Sequence, residues 1–310
     1  MSTEFDLCSI GLHLDSRHQR QRWTESNEYP CTKNWTHATM TSTPMPDAVP
    51  SFQIISSLRY DPDLPKVTCH HANDQSYPAP VDSPYYLLSY HRDRLTNAAR
   101  HFKWDNALEF LRLDLASFER FLDESIPDRE KPWRLRIAVD CNGKGSVEVN
   151  PTITIDPLNL LIPSLHDGVQ STTWKVYVDS QSITPSGFTT HKTTARDDYA
   201  AARVRAGITS PAETSEVLVV NPDGEIMEGS ITTPYFRRRI VGKETDANEA
   251  VWVTPPLKSG GNAGTSRRYA LSQGFCVEQV ITKADLVDGE ECWLSNGVRG
   301  FIRGVVVLSR

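Results

Sequence analysis

Lys192 stands among small hydroxyl residues in Thr189-Thr190-His191-Lys192-Thr193-Thr194, just ahead of a stretch that reads as a helix. Alone, such a lysine is an ordinary surface residue. A lysine that attacks a carbonyl or carries a proton needs a lowered pKa, which burial or a nearby cation supplies.

Four other groups occur in order along the chain. His91-Arg92-Asp93-Arg94-Leu95 opens a helical pattern, and Arg94 beside Leu95 can direct a fork of N–H donors at a phosphate. Glu225-Ile226-Met227-Glu228-Gly229-Ser230 leaves a hairpin strand. A carboxylate such as Glu228 keeps a facing ring nitrogen protonated, which preserves an electron sink. Lys258-Ser259-Gly260-Gly261-Asn262-Ala263-Gly264-Thr265-Ser266-Arg267-Arg268 is a glycine-rich loop entering a helix, where free N–H groups and a positive dipole end suit a phosphate. It lacks the Gly-Lys-Ser/Thr ending of a nucleotide-binding P-loop. Last comes Ser295-Asn296-Gly297-Val298-Arg299-Gly300, a tight polar turn whose N–H groups suit the same cradle.

The elements that must position these groups mix helices with short strands, an α+β pattern. Residues 51–60 read as a strand. Residues 91–103 carry Leu95, Ala98, Ala99 and Phe102 at helical spacing. A second helix is expected over 105–124, with Leu108, Leu111, Leu115, Phe118 and Leu122 on one face. Strands at 134–139 and 147–155 bracket the Asn142-Gly143-Lys144-Gly145 turn. A strand at 174–178, a helix at 195–206 ending at Gly207, a hairpin across Asn221-Pro222-Asp223-Gly224 and a helix at 265–274 follow. The expected division is a loose polar segment at 1–48, a smaller domain at 49–160 with Arg94, a connection at 161–170, and a larger domain at 171–310 with Lys192.

Composition narrows the function. The net charge is -6, so no overall basic field draws nucleic acid or an anionic membrane, and any anion site is local. Six cysteines (Cys8, Cys31, Cys69, Cys141, Cys276 and Cys292) include no C-x-x-C pair, which argues against a zinc or disulfide framework. Cys69-His70-His71 has no second half at ligand spacing, so no metal is expected. No apolar run reaches membrane-spanning length and no signal pattern opens the chain, so a cytoplasmic location is expected.

From about residue 51 onward the chain resembles the class IV aminotransferase family, the fold-type IV pyridoxal-phosphate enzymes. Members share an H-x-x-R-L segment, a central lysine, a downstream glutamate, a G-[IV]-[TM]-R loop and a late S-N/T turn. The resemblance implies a two-domain α+β fold like that of D-amino-acid aminotransferase, and pyridoxal 5'-phosphate as cofactor. It implies Lys192 as the Schiff-base lysine and Glu228 on the pyridine nitrogen. The phosphate would lie on Arg94 and the Gly264-Thr265-Ser266 loop, with the Asn296-Gly297 turn beside them. Two departures stand out: Thr233-Pro234-Tyr235 where members often carry Asn-aliphatic-Phe, and Thr265-Ser266 where Ile-Thr is commoner.

Within the family, the stretch from His191 to Arg203 and the strand Phe52–Arg59 look most like the eukaryotic 4-amino-4-deoxychorismate lyase branch. That implies elimination of pyruvate to give 4-aminobenzoate, a folate precursor, with Lys192 as proton carrier. The implied partners are a small amino substrate and a second copy in a homodimer. A dicarboxylate substrate needs cations and hydroxyls, and Arg59, Arg136, Arg299 and Ser57 are the candidates. The alternatives are an aminotransferase of branched-chain, D-amino-acid or (R)-amine type, and a pyridoxal-phosphate-binding protein without catalysis.

Overall fold

A computed structural model describes residues 51–71, 77–163, 172–210, 212–239 and 250–308. Residues 1–48, expected to be loose, and most of the expected connection at 161–170 lie outside the described residues.

Strand β1 (Ile54–Tyr60) has the period of two of a strand between unlike faces. Ile54, Leu58 and Tyr60 enter a core, while Ser57 and Arg59 point the other way. Helix α1 (Leu64–His71) follows, then α2 (Leu88–His101), α3 (Asp105–Leu111) and α4 (Leu115–Asp123). β1 pairs antiparallel with β2 (Trp133–Val139), and β2 with β3 (Gly145–Pro151). Leu135, Ile137 and Val139 meet Leu95, Ala98, Ala99, Phe118 and Leu122 of the helices, so α2 to α4 cover one face of this sheet. Each fully buried leucine or phenylalanine contributes about 1.5–3 kcal/mol. The other face carries Ser57, Arg59, Arg134 and Arg136, because Ser57 lies opposite Arg136 and Arg59 opposite Arg134.

Two expectations change here. The single helix expected over 105–124 is two, because Asp114 takes an extended backbone and its side chain accepts from Ser117 N at 2.7 Å. An aspartate offering that cap starts a new helix instead of continuing the old one. The helix expected from 91 begins at Leu88, which places His91 and Arg94 inside α2.

The second sheet has eight strands. In chain order, β4 (Trp174–Ser182) precedes the helices α5 (Gly187–Thr190) and α6 (Asp197–Arg205). β5 (Ser215–Val220), β6 (Ile226–Gly229), β7 (Thr233–Arg239) and β8 (Ala250–Thr254) lead to α7 (Thr265–Ser272), and β9 (Cys276–Glu278), β10 (Glu291–Asn296) and β11 (Gly300–Val306) complete it. The spatial order is β6-β5-β4-β11-β10-β7-β8-β9. β4 runs parallel to β5 and β11, and β8 parallel to β9; the other pairs are antiparallel. The β6 edge reaches the segment after β9: Ile226 N donates to Ile281 O at 2.7 Å, and Glu225 bridges Thr282. The sheet therefore curls around one core containing Val176, Leu218, Ile226, Phe236, Val253, Leu294 and Ile302. Outside it, α6 packs Tyr199 and Ala202 on Val217, Val219 and Met227, and α7 packs Tyr269 and Ala270 with Tyr235, Trp293 and Phe301. Helices and curled sheet make an α+β architecture, and Ala48–Arg310 forms one compact unit. No described helix is long and apolar enough to cross a membrane.

Candidate active site

Lys192 sits between α5 and α6, and its backbone is fixed from both sides. Ser186 and Thr189 form a reciprocal capping box that starts α5. Past it, Ile55 N donates to Lys192 O at 2.9 Å, and Thr194 N donates to Gln53 O at 2.9 Å. Gln53 N returns a bond to Thr194 Oγ1 at 2.9 Å. The lysine segment thus lies along the start of β1, joined by a single antiparallel bridge between Ile54 and Thr193.

Its side chain lines a cavity of about 400 Å³ together with Arg94, Glu228, Gly264, Ser266, Asn296 and Gly297. That size suits a small organic ligand. Burial, then the positive charges of Arg196 and Arg94, hold the Lys192 amine well below its usual range, while Glu228 opposes them. Burial raises the Glu228 carboxyl, against Arg196, the Tyr199 hydroxyl and Lys192. Tyr199 Oη donates to Glu228 Oε1 at 2.6 Å. Burial lowers the Arg94 guanidinium to about 10, and Glu228 is the opposing charge.

One end of the cavity is built for an anion. Gly264 precedes α7 without any side-chain cap, so the first amides of the helix are open. A Cβ on Gly264 would stand 2.9 Å from Thr233 Oγ1, so the loop lies too close to β7 for a side chain there, and Arg94 Nη2 lies within 3.7 Å of the same point. Arg94 Nε, Asn262 Nδ2 and Thr265 Oγ1 are buried without a hydrogen-bond partner. Three orphaned polar atoms around one helix start are costly unless a ligand satisfies them. A phosphate fits that requirement. Ser266 Oγ is held by Ser295 Oγ at 2.8 Å, which in turn bonds Tyr235 Oη at 2.8 Å. Tyr235, one of the departures in sequence, thereby braces this end.

The Asn296-Gly297 turn lines the same cavity, and two of its amides are engaged within the turn itself. Asn296 Oδ1 accepts from Val298 N at 3.0 Å and Arg299 N at 2.8 Å. Gly297 O accepts from Arg59 N at 3.0 Å, and a Cβ on Gly297 would lie 2.8 Å from Ser57 O and 2.6 Å from His91 Cε1. The turn is wedged between β1 and α2.

The four substrate candidates separate. Ser57 and Arg299 line the cavity. Arg59 does not: its Nε donates to Asp61 Oδ2 at 2.7 Å and its Nη1 to Ile153 O at 3.0 Å, and it is fully buried behind the wall. Arg136 also lies outside, bonded to Glu148 Oε1 at 2.5 Å across the β2–β3 ladder. Arg134, two residues earlier on the same face, lines the cavity instead, as does Arg196. Alternation along the strand already put Arg134 and Arg136 on one face; only the register against β3 shows which is neutralised. Arg299 lies over the Trp174 ring, 5.2 Å from its centroid, and is lowered by burial and then by Arg134.

Comparison with known proteins follows the same outline. The amino-transferase class IV family matches residues 81–306. The aminodeoxychorismate lyase of Saccharomyces cerevisiae is 30% identical over 259 residues, covering 72% of this chain and 67% of the yeast protein. Among solved structures, the branched-chain aminotransferase of Thermoproteus uzoniensis superposes with a TM-score of 0.53 at 17% identity, covering 84% of this chain and 80% of that one. The 4-amino-4-deoxychorismate lyase of Pseudomonas aeruginosa gives 0.51 at 15% identity, covering 82% and 83%. At such identities the two structures speak for the fold alone.

Proposed function

Because the chain belongs to the class IV aminotransferase family, we propose that it is a pyridoxal-phosphate-dependent 4-amino-4-deoxychorismate lyase that releases pyruvate and forms 4-aminobenzoate. The observation that carries this reading is the convergence of Lys192, Glu228 and the Arg94–Gly264 anion cradle on one cavity that Arg134, Arg196 and Arg299 also line.

In this reading Arg94, Thr265, Ser266 and the open start of α7 hold the phosphate, Glu228 faces the ring nitrogen, and Lys192 is the covalent anchor. Bound pyridoxal phosphate supplies a carbonyl carbon for an amine and a protonated ring that withdraws electrons from the carbon bearing that amine. Set free when the substrate amine takes its place, Lys192 Nζ, its proton affinity lowered by burial and then by Arg196 and Arg94, would take the proton from the amine-bearing carbon. The neighbouring carbon–oxygen bond breaks, enolpyruvate leaves with the oxygen, and the six-membered ring becomes aromatic. Lys192 then returns its proton to the methylene carbon of enolpyruvate, giving pyruvate. Arg134, Arg196 and Arg299 in the cavity lining would meet the two substrate carboxylates, and Ser57 offers a hydroxyl in the same lining.

The yeast relative supports the lyase over the transaminase within the family. A two-domain division near residues 161–170, a homodimer and a cytoplasmic location belong to the same reading. The test is to supply 4-amino-4-deoxychorismate to the purified protein with pyridoxal phosphate and follow 4-aminobenzoate and pyruvate. Equal yields of both support the lyase. Bleaching of the cofactor's visible band by an amino acid, with no 4-aminobenzoate, makes the protein a transaminase instead.

A further inference from the structure

We propose that Tyr199 is a positioning residue for Glu228: its hydroxyl, presented by α6, fixes Glu228 Oε1 at 2.6 Å and so sets how the carboxylate stands in the cavity. The inference rests on the reading above, in which Glu228 faces the cofactor ring.

Tyr199 does not line the cavity; it lies behind Glu228 and is almost wholly buried. Apolar packing and one cation keep its ring in place. Ala202, Val217, Val219 and Met227 pack with it, and the Arg196 guanidinium lies 3.9 Å from the ring centroid. Arg196 Nη2 is itself anchored on Ser230 O at 2.8 Å, in the turn that follows Glu228. One arginine therefore joins the tyrosine to the strand end that carries its partner.

The hydrogen bond has one direction. Burial, then the charge of Glu228, pushes the Tyr199 phenol far above its usual range, so it donates throughout the working pH range. Around Glu228 stand Lys192, Arg196 ahead of α6, Arg94 from α2 and the backbone amide of Asn262. The cations supply charge, whereas the tyrosine supplies a directed bond. A hydrogen bond to a buried carboxylate favours its ionised form. Without it the carboxyl, already raised by burial, takes up a proton at higher pH still.

The experiment compares wild type with Tyr199→Phe, which keeps the ring, its packing and the Arg196 contact. In the cofactor-free protein, the Glu228 carboxyl is titrated by 13C NMR, its signal assigned with Glu228→Gln. Losing one charge-assisted bond predicts an upward move of about one pH unit. In the loaded protein, affinity for pyridoxal phosphate falls about tenfold, and the pH at which the visible band changes moves in the same direction. Unchanged titration and an unchanged band, with only a lower melting temperature, would make Tyr199 a packing residue and overturn the inference. A wild-type chain that takes up no pyridoxal phosphate would instead overturn the functional reading, and this role with it, whatever the NMR shows.

Discussion

The amide of Ile55 donates to the carbonyl of Lys192 at 2.9 Å, so the strand that presents Ser57 and the segment that presents the lysine are locked in one register. The small sheet thereby fixes the height of the reactive amine in the cavity, and small misplacements of such a group are costly in rate. Thr194→Val removes the side-chain bond to Gln53 N while leaving the backbone bonds. We expect a stability loss of about 1 kcal/mol and a several-fold drop in kcat. Stopped-flow and denaturant unfolding of the variant check this; an unchanged kcat would show that the backbone bonds suffice.

Arg134 and Arg136 share a face of β2 and differ in company. Glu148 neutralises Arg136, while Arg134 lines the cavity. Arg134→Met is expected to raise KM about tenfold, the loss of one charge-assisted contact. Arg136→Met should change KM less than about twofold, as expected for a partly exposed ion pair. Steady-state kinetics on both variants decide, and the reverse ranking would move the substrate to the other end of this sheet.

His91 sets an acid limit on stability. It is buried, its Nδ1 lies 2.7 Å from Ser56 Oγ, and burial, then Arg94, Lys192 and Arg268, hold its pKa well below 6.5. Below 6.5 the unfolded chain binds a proton that the folded chain refuses, so stability falls with pH until the folded pKa is reached. Each pH unit in that window costs up to about 1.4 kcal/mol. Urea unfolding between pH 7.5 and 5 should show wild type losing more than His91→Gln; parallel curves would mean that His91 protonates freely in the fold.

Gly297→Ala forces a methyl group to within 2.8 Å of Ser57 O and 2.6 Å of His91 Cε1. Crowding at a close-packed site costs about 1–3 kcal/mol. Because the turn borders the anion cradle, affinity for pyridoxal phosphate should fall as well. Thermal melts with and without the cofactor measure both effects, and a variant that melts like wild type would contradict the wedge.

Much of the fold was legible because its signals are local. The alternation in Ile54–Tyr60, the Leu95-Ala98-Ala99 spacing and the Asn221–Gly224 turn each determine an element within a few residues. The break at Asp114 was hidden because Leu111 and Leu115 continue the apolar stripe across it. The parallel pairing of β4 with β5 and β11 joins residues far apart in the chain, and no local pattern encodes it. At the site, residue type and order pointed to Lys192, Arg94, Glu228 and the glycine loop, which the fold gathers around one cavity. They missed Tyr199 behind Glu228 and chose Arg136 and Arg59 over Arg134, because partners such as Glu148 and Asp61 act through register and burial.

Borohydride reduction of the protein loaded with pyridoxal phosphate, followed by peptide mapping, tests the central claim most directly. The account predicts loss of the visible band and one pyridoxyl-modified peptide, containing Lys192, with no label in Lys192→Ala. A label on another lysine, or equal labelling of the Lys192→Ala variant, would contradict it.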